Sequence, residues 1–586
     1  MRALLGVVVL ALIGALAAWQ GLRGSLARLE GEVALPGLSS PVTISRDALG
    51  VVTIEAGSEA DVVRALGFVH AQERFFEMDL ARRSAAGELS ALLGPATVPM
   101  DRERRVHRLR ARVAEHILDP KVLGSWRPLL DAYSAGANAG LAALSVRPWP
   151  YVLLRQRPAA WTAEDTVLTG NALYFDLQGY HSFARLALWR LSRSLPAPLF
   201  AMLNHGGTSW DAPIVGESLG DAPLPGPDVI DLRRLPAEPR SGAVPGSESA
   251  PGSNNLAVAG ALTKDGRAIV GGDMHLALRA PGIWFRARLI YPDPLAPGGR
   301  VDVSGFTVPG IPGVIAGSTG HVAWALTNAY NDISQWAQMP PCTGTLAQCG
   351  ITEHRETIEV AGAAPEQLVV RETEWGPILR REPDGSLLAL RWVAHVSGAV
   401  SSGLAEFVHA RNLDEAFAVA DRAGTPVQNL VVADSSGRIG WRILGALPNW
   451  QAPCNRTGIE RVVVPAGACP PWSLSTSIAP EVRDPATGRL WTANNRVIRT
   501  HASAISAGTT AHAPARSATA SWRGSASPSA TSSASSSTIA QSTSSAGGSS
   551  CAWCLRVRAA IRCSLVSRWP LRSGMGAHLR TPSAIS

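Results

Sequence analysis

Apolar and polar residues alternate in two short runs near the start of the chain, Pro41-Val42-Thr43-Ile44-Ser45-Arg46-Asp47 and Gly50-Val51-Val52-Thr53-Ile54. That pattern predicts two strands around a turn. The period then changes. Ser58, with Asp61 three residues on, is a capping-box start for a helix. Its apolar positions include Val62, Val63, Leu66, Val69, Phe75, Phe76 and Met78. His70 lies inside this helix and reads as a packing residue rather than a metal ligand. Helical patterning continues through Arg82-Arg83, Glu88 and Leu89, and again from Arg104 to about Leu144. Residues 218–252 are rich in Pro, Gly, Asp and Ser, hold no period, and read as a linker. Alternation resumes at Asn255–Leu262, breaks at Lys264-Asp265-Gly266, and returns at Ala268–Val270, a strand-turn-strand unit.

The extreme N-terminus has a different pattern. After Met1-Arg2 comes an uncharged, mostly apolar run from Ala3 to Trp19, which suits a signal peptide or a membrane anchor. Export gives the cysteines a meaning. Cys342 and Cys349 close one short loop and Cys454 and Cys469 another, so two local disulfides are expected. Cys551, Cys554 and Cys563 lack a second ligand pair of the kind a zinc site needs.

Composition then removes one class of partner. An apolar fraction of 46% with 17% charged residues belongs to a globular chain. The formal charge of +8 invites a nucleic-acid reading. However, residues 501–586 hold eight arginines and no Asp, Glu or Lys, so the rest of the chain is balanced, 46 basic against 46 acidic. A neutral body has no electrostatic footprint for nucleic acid.

Candidate chemistry centres on Gly252-Ser253, where the linker meets a strand. A chain that cuts itself there exposes a serine whose own α-amine, with a pKa near 7.7–8.0, is a built-in base. On the heptapeptide alone, an ordinary linker running into a strand is the simpler reading. Two other hydrolase patterns fail. Gly216-Glu217-Ser218-Leu219-Gly220 has the spacing of a nucleophile elbow but no helical pattern after it. No His-Glu-x-x-His motif occurs.

Longer stretches decide the matter. Arg46-Asp47, Gly50-Val51, Ala65 to Arg74 and Met78 to Arg83 resemble the start of the α subunit of penicillin acylase-type N-terminal nucleophile hydrolases. The resemblance continues through Asp302–Gly305, Pro309–Gly313, Ala323–Asn328, Pro426–Asn429, Ala433-Asp434, Gly437–Trp441 and Thr492–Arg496, covering roughly residues 25–499. It implies an α+β fold of the αββα type, with two stacked antiparallel sheets between helical layers and a mostly helical α segment. It also divides the chain into a signal or anchor (1–20), an α segment (21–217), an excised spacer (218–252), a β segment (253–499) and a tail (500–586). The implied product is a periplasmic or secreted α/β heterodimer acting on a small acyl amide.

The same resemblance implies site residues. Cleavage between Gly252 and Ser253 makes Ser253 nucleophile and base at once. The backbone N–H of Asn328 and the side-chain amide of Asn494 form the oxyanion hole, with Asn495 the alternative to Asn494. His275 stands beside the nucleophile, where its imidazole reaches the Ser253 amine or hydroxyl. No cofactor is required. Many relatives hold calcium between the subunits; here Asp332 fits one ligand, but Gln335 and Phe183 stand where two carboxylates are expected, so the set is incomplete.

Two expectations remain. Beyond residue 499 the text turns Ser/Ala/Thr/Arg-rich and acid-free, as a shifted reading frame would produce, while a natural disordered tail is the alternative. The rival to an enzyme is a truncated pseudoenzyme or an exported binding protein whose Gly252–Ser253 bond stays intact.

Overall fold

A computed structural model describes residues 2–117, 126–179, 181–234, 252–276, 279–452, 454–455, 458–477 and 480–497. The expectations for residues 500–586, and for residues 235–251 of the spacer, fall outside this set.

The architecture is mixed α+β, and the first patterned segment forms as its periodicity dictates. Strands Thr43–Arg46 and Val52–Glu55 pair antiparallel, with Thr43 opposite Glu55. Helix Glu59–Ala86 follows, and the Ser58 hydroxyl caps it by accepting the Asp61 N–H at 3.2 Å. The return half of the capping box is missing because the Asp61 carboxylate is claimed by Ser39, whose N–H donates at 2.9 Å and whose hydroxyl donates at 2.5 Å. His70 is fully buried and bridges Tyr133 (2.8 Å) and Thr307 (3.0 Å), the packing role expected of it.

The helix Glu59–Ala86 packs against helix Trp126–Ala142 at backbone distance. A Cβ on Gly136 would sit 1.9 Å from the Arg64 carbonyl, so only glycine permits this crossing. Helix Ala163–Gln178 lies alongside, started by the Asp165 carboxylate, which accepts the Thr162 N–H at 2.9 Å. Arg82, 3% exposed, holds these helices together: it donates to Asp79 (2.8 Å) and Asp165 (2.5 Å), and to the carbonyls of Ala159 and Ala160. A buried guanidinium satisfied by two carboxylates and two carbonyls escapes the penalty of an unpaired charge.

Nine strands form the largest sheet, in the order Thr43–Arg46, Val52–Glu55, Phe285–Pro292, Arg300–Thr307, Ala316–Ser318, Val322–Asn328, Gln428–Asp434, Ile439–Leu444, Glu481–Arg483. Only the Val52–Glu55/Phe285–Pro292 pair is parallel. A six-stranded sheet is built around Ser334–Met339 and Leu387–Trp392. The sheet that carries the site has three strands, in the order Arg489–Thr492, Asn254–Val258, Ile269–Asp273. It lies close against the nine-stranded sheet: a Cβ on Gly272 would meet the Ala325 Cβ at 2.8 Å. Thr327 and Thr492 join the two sheets by a hydroxyl–hydroxyl bond of 2.8 Å.

Both expected disulfides are present, Cys342–Cys349 and Cys454–Cys469. The N-terminal run is one helix, Arg2–Gly24, exposed along nearly all its length and long and apolar enough to cross a membrane.

Candidate active site

Ser253 immediately precedes the central strand of the three-stranded sheet. Both flanking strands therefore deliver residues to it. Ile269–Asp273 runs on to His275, and Arg489–Thr492 runs on to Asn494. Register makes this possible: Asn255 lies opposite Gly272 on one side and Thr492 on the other.

Ser253 is 6% exposed, and its N–H and its hydroxyl are both engaged. Its backbone N–H donates to Oδ1 of Asn494, and its hydroxyl oxygen accepts the backbone N–H of His275 at 2.9 Å. Asn494 Nδ2 donates to the carbonyl of Asn328 at 2.7 Å. An amide nitrogen carries two N–H groups, so one remains for a further acceptor. Asn494 holds φ +59°, a left-handed conformation that asparagine tolerates better than most residues. Asn495 faces its own loop instead, accepting from Ala493 N–H and donating to the Arg496 carbonyl. Of the two asparagines, Asn494 stands against Ser253.

Asn328 ends strand Val322–Asn328 and is 5% exposed. Its carbonyl also accepts from Asn429 Nδ2 at 3.3 Å, and Asn429 reaches Thr327 at 3.2 Å. Trp441 in turn donates to Asn429 Oδ1 at 3.2 Å.

His275 differs from expectation. Its imidazole does not hold the Ser253 hydroxyl; the backbone N–H does. The ring is drawn two residues back, where Nε2 pairs with Asp273 Oδ2 at 2.9 Å. That carboxylate raises the imidazole pKa above its ordinary value, partial burial opposes the rise, and the Gly252 carbonyl acts in the same sense as Asp273. Asp273 is correspondingly held below the usual carboxylate range by the histidine.

An apolar cavity of about 100 Å³ opens beside Ser253. Ser253, Thr327 and Asn328 line it together with Leu173, Leu177, Met274, Trp284 and Ile311. Thr166, Gly170, Leu173 and Leu177 of helix Ala163–Gln178 fall at helical spacing along its wall. A cavity of this character suits a hydrocarbon group.

Calcium does not fit the residues present. Asp332 is buried between two guanidiniums, Arg185 at 3.2 Å and Arg461 at 3.5 Å. Burial raises its pKa and the two arginines pull it back. Gln335 donates its amide to the Arg461 carbonyl at 2.9 Å, and Phe183 packs on Trp336. Cationic partners already answer the one carboxylate, and among the described residues no cluster of three or more acidic, His or Cys side chains could hold a metal.

Sequence reasoning missed Asp273, Asn429, Gln178 and the apolar wall. Asn429 stood inside a recognised stretch without a role, and Gln178 carried no local motif at all.

A family model described as Penicillin amidase matches residues 41–574, and the chain belongs to the penicillin amidase family. The match runs past residue 499, where the resemblance read from the sequence ends. Among similar curated proteins is Penicillin acylase 2 proenzyme from Pseudomonas sp. (strain SE83), 31% identical over 514 residues, covering 82% of this chain and 62% of the relative. Acyl-homoserine lactone acylase QuiP from Pseudomonas aeruginosa is 27% identical over 508 residues, covering 81% of this chain and 57% of its own. Penicillin G acylase from Escherichia coli is 25% identical over 525 residues, with 78% and 59% covered. The chain thus spans about three fifths of the length of these relatives. A solved structure of thermostable penicillin G acylase from Alcaligenes faecalis, in its orthorhombic form, superposes with a TM-score of 0.37 at 20% identity, over 43% of this chain and 46% of that one.

Proposed function

We propose that the chain is a self-processing amidohydrolase of the N-terminal nucleophile type, with the αββα sandwich that type implies. The observation that carries this reading is the placement of Ser253 at the mouth of an apolar cavity, its N–H on Asn494 and its hydroxyl on the His275 N–H. Maturation begins when Ser253 Oγ attacks the Gly252 carbonyl carbon. The C–N bond breaks, the nitrogen gains a proton, and Gly252 is left as an ester on the serine. Water hydrolyses that ester, releasing the Gly252 carboxylate, the free hydroxyl and a free α-amine.

The amine is then the base for turnover. It takes the hydroxyl proton as Oγ attacks a linear amide, and passes the proton to the departing amine. The Asn328 N–H and the spare Asn494 N–H stabilise the oxyanion. Water releases the acid by the reverse sequence. The leucine-lined cavity favours an aliphatic or arylalkyl acyl group, and the names of the relatives point to N-acyl homoserine lactones or β-lactam acyl side chains. The segments before and after the cut stay together as a heterodimer, exported by way of the Arg2–Gly24 helix as signal or anchor. No metal is needed.

Intact-mass analysis of the purified chain tests this. A new N-terminus at Ser253, lost in Ser253→Ala together with acyl-amide hydrolysis, is the expected result. An uncut wild-type chain, or a Ser253→Ala chain that is still cut and active, overturns the reading.

A further inference from the structure

We propose that Gln178 is the positioning residue that sets the Asn328 peptide as an oxyanion donor, an inference that rests on the acylase reading above. Gln178 is the last residue of helix Ala163–Gln178 and is 3% exposed. Its amide nitrogen faces three oxygens: Val427 carbonyl at 3.0 Å, Asn328 Oδ1 at 3.1 Å and Ala329 carbonyl at 3.4 Å. All three lie where strands Val322–Asn328 and Gln428–Asp434 meet, with Asn328 opposite Gln428 in register. Asn328 answers reciprocally, donating Nδ2 to the Leu177 carbonyl at 3.1 Å.

Each side of the Asn328 residue is thereby fixed. Its side chain is locked to the helix end by two hydrogen bonds, and its carbonyl is held by Asn494 and Asn429. Asn328 cannot rotate, and carry its backbone N–H with it, without breaking the contacts of its side chain and of its carbonyl. The surrounding oxygens also dictate the amide's orientation, because a flipped Gln178 would set its oxygen against three acceptors. Among the described residues Gln178 Oε1 meets no hydrogen-bond donor, so the contacts that fix this side chain are those of its nitrogen. Cleavage at Gly252–Ser253 would place Gln178 and Asn328 on different polypeptides. The α segment then acts on the chemistry through this contact as well as through the cavity wall.

Full-length Gln178→Leu and Gln178→Glu test the assignment. Loss of the donor should lower kcat by about tenfold with KM changed less than about twofold, since the cavity-lining side chains are untouched. The glutamate variant carries a signature that a packing role lacks: as pH falls and its carboxyl regains a proton to donate, its kcat relative to wild type should climb back. Equal kcat in Gln178→Leu and wild type, or a glutamate variant with a pH-independent ratio, overturns the assignment. Crystal structures of Ser253→Ala with and without Gln178→Leu read the same point without turnover. Asn328 should leave Asn494 and Asn429 when Gln178 is lost, and an unmoved Asn328 rejects the positioning role. The acylase reading fails separately, on an uncut and inactive wild type.

Discussion

Asn494 and Ser253 lie 241 residues apart, yet the Asn494 amide oxygen accepts the Ser253 N–H while its nitrogen holds the Asn328 carbonyl at 2.7 Å. One side chain thus registers Ser253 against the end of the neighbouring sheet. Removing it should be costly in the transition state. Asn494→Gly, chosen because the residue sits at φ +59°, should lower kcat by about 10²–10³-fold, equivalent to about 2.7–4 kcal/mol. Asn495→Ala should cost less than about tenfold. Steady-state kinetics on a chromogenic acyl amide decide between them; equal losses would remove Asn494 from its special place.

Asp273 controls the charge of His275 through their 2.9 Å contact. Asp273→Asn should bring the imidazole pKa down toward its ordinary value, because that carboxylate is the largest cause of the rise. In the Ser253→Ala background, NMR titration of the His275 ring reads the shift directly. The pairing favours the native state below the unfolded histidine pKa and is lost as pH rises through the folded one. An unchanged titration in Asp273→Asn would show that the ring is held by something else.

The arginine pair around Asp332 predicts indifference to chelators. EDTA should leave the melting temperature and maturation unaltered. Asp332→Ala should remove the shared carboxylate from two enclosed guanidiniums and destabilise by about 3–5 kcal/mol, read by denaturant unfolding. A chelator-induced drop in melting temperature would reverse this account.

Acid should weaken the fold through buried histidines. Burial, reinforced by nearby arginines, depresses His70 and His107 to about 3, well below the unfolded value of about 6.5. Above that value both states are neutral and the groups contribute nothing. Below it the unfolded chain takes up protons that the native chain refuses, so stability falls between about pH 6.5 and 3, by up to ~1.4 kcal/mol per unit for each group. Urea unfolding at pH 7.5 and 4.5 should show the loss, and His70→Gln should show a shallower one. His409 works at the other end: Glu406 and then Asp293 hold it up to about 9, so its contribution fades as pH rises through that value.

Local chemistry explains what the sequence made legible. The Ser58 cap and the Thr43–Glu55 hairpin depend on neighbours in sequence, so pattern suffices to find them. Ser253, His275 and Asn494 needed the family resemblance, because their meeting depends on strand register. Gln178 and Asp273 stayed hidden for different reasons. Gln178 acts across 150 residues on a carboxamide, whereas Asp273 is a single acid at the end of an ordinary short strand. Asp332 is the opposite case. Resemblance suggested a calcium ligand, and only packing brings Arg185 and Arg461 to it.

The single parallel ladder of the large sheet, Val52–Glu55 beside Phe285–Pro292, joins residues from before and after Gly252. Neither disulfide crosses that junction. A cut at Ser253 would therefore turn a unimolecular fold into a two-piece assembly with no covalent route back. The intact chain supplies the proximity that lets the ladder form; the cut pieces would have to find each other by diffusion, at whatever concentration prevails. Scission then acts as a ratchet, and the mature molecule would endure by the slowness of its unfolding, with its persistence measured as a half-life.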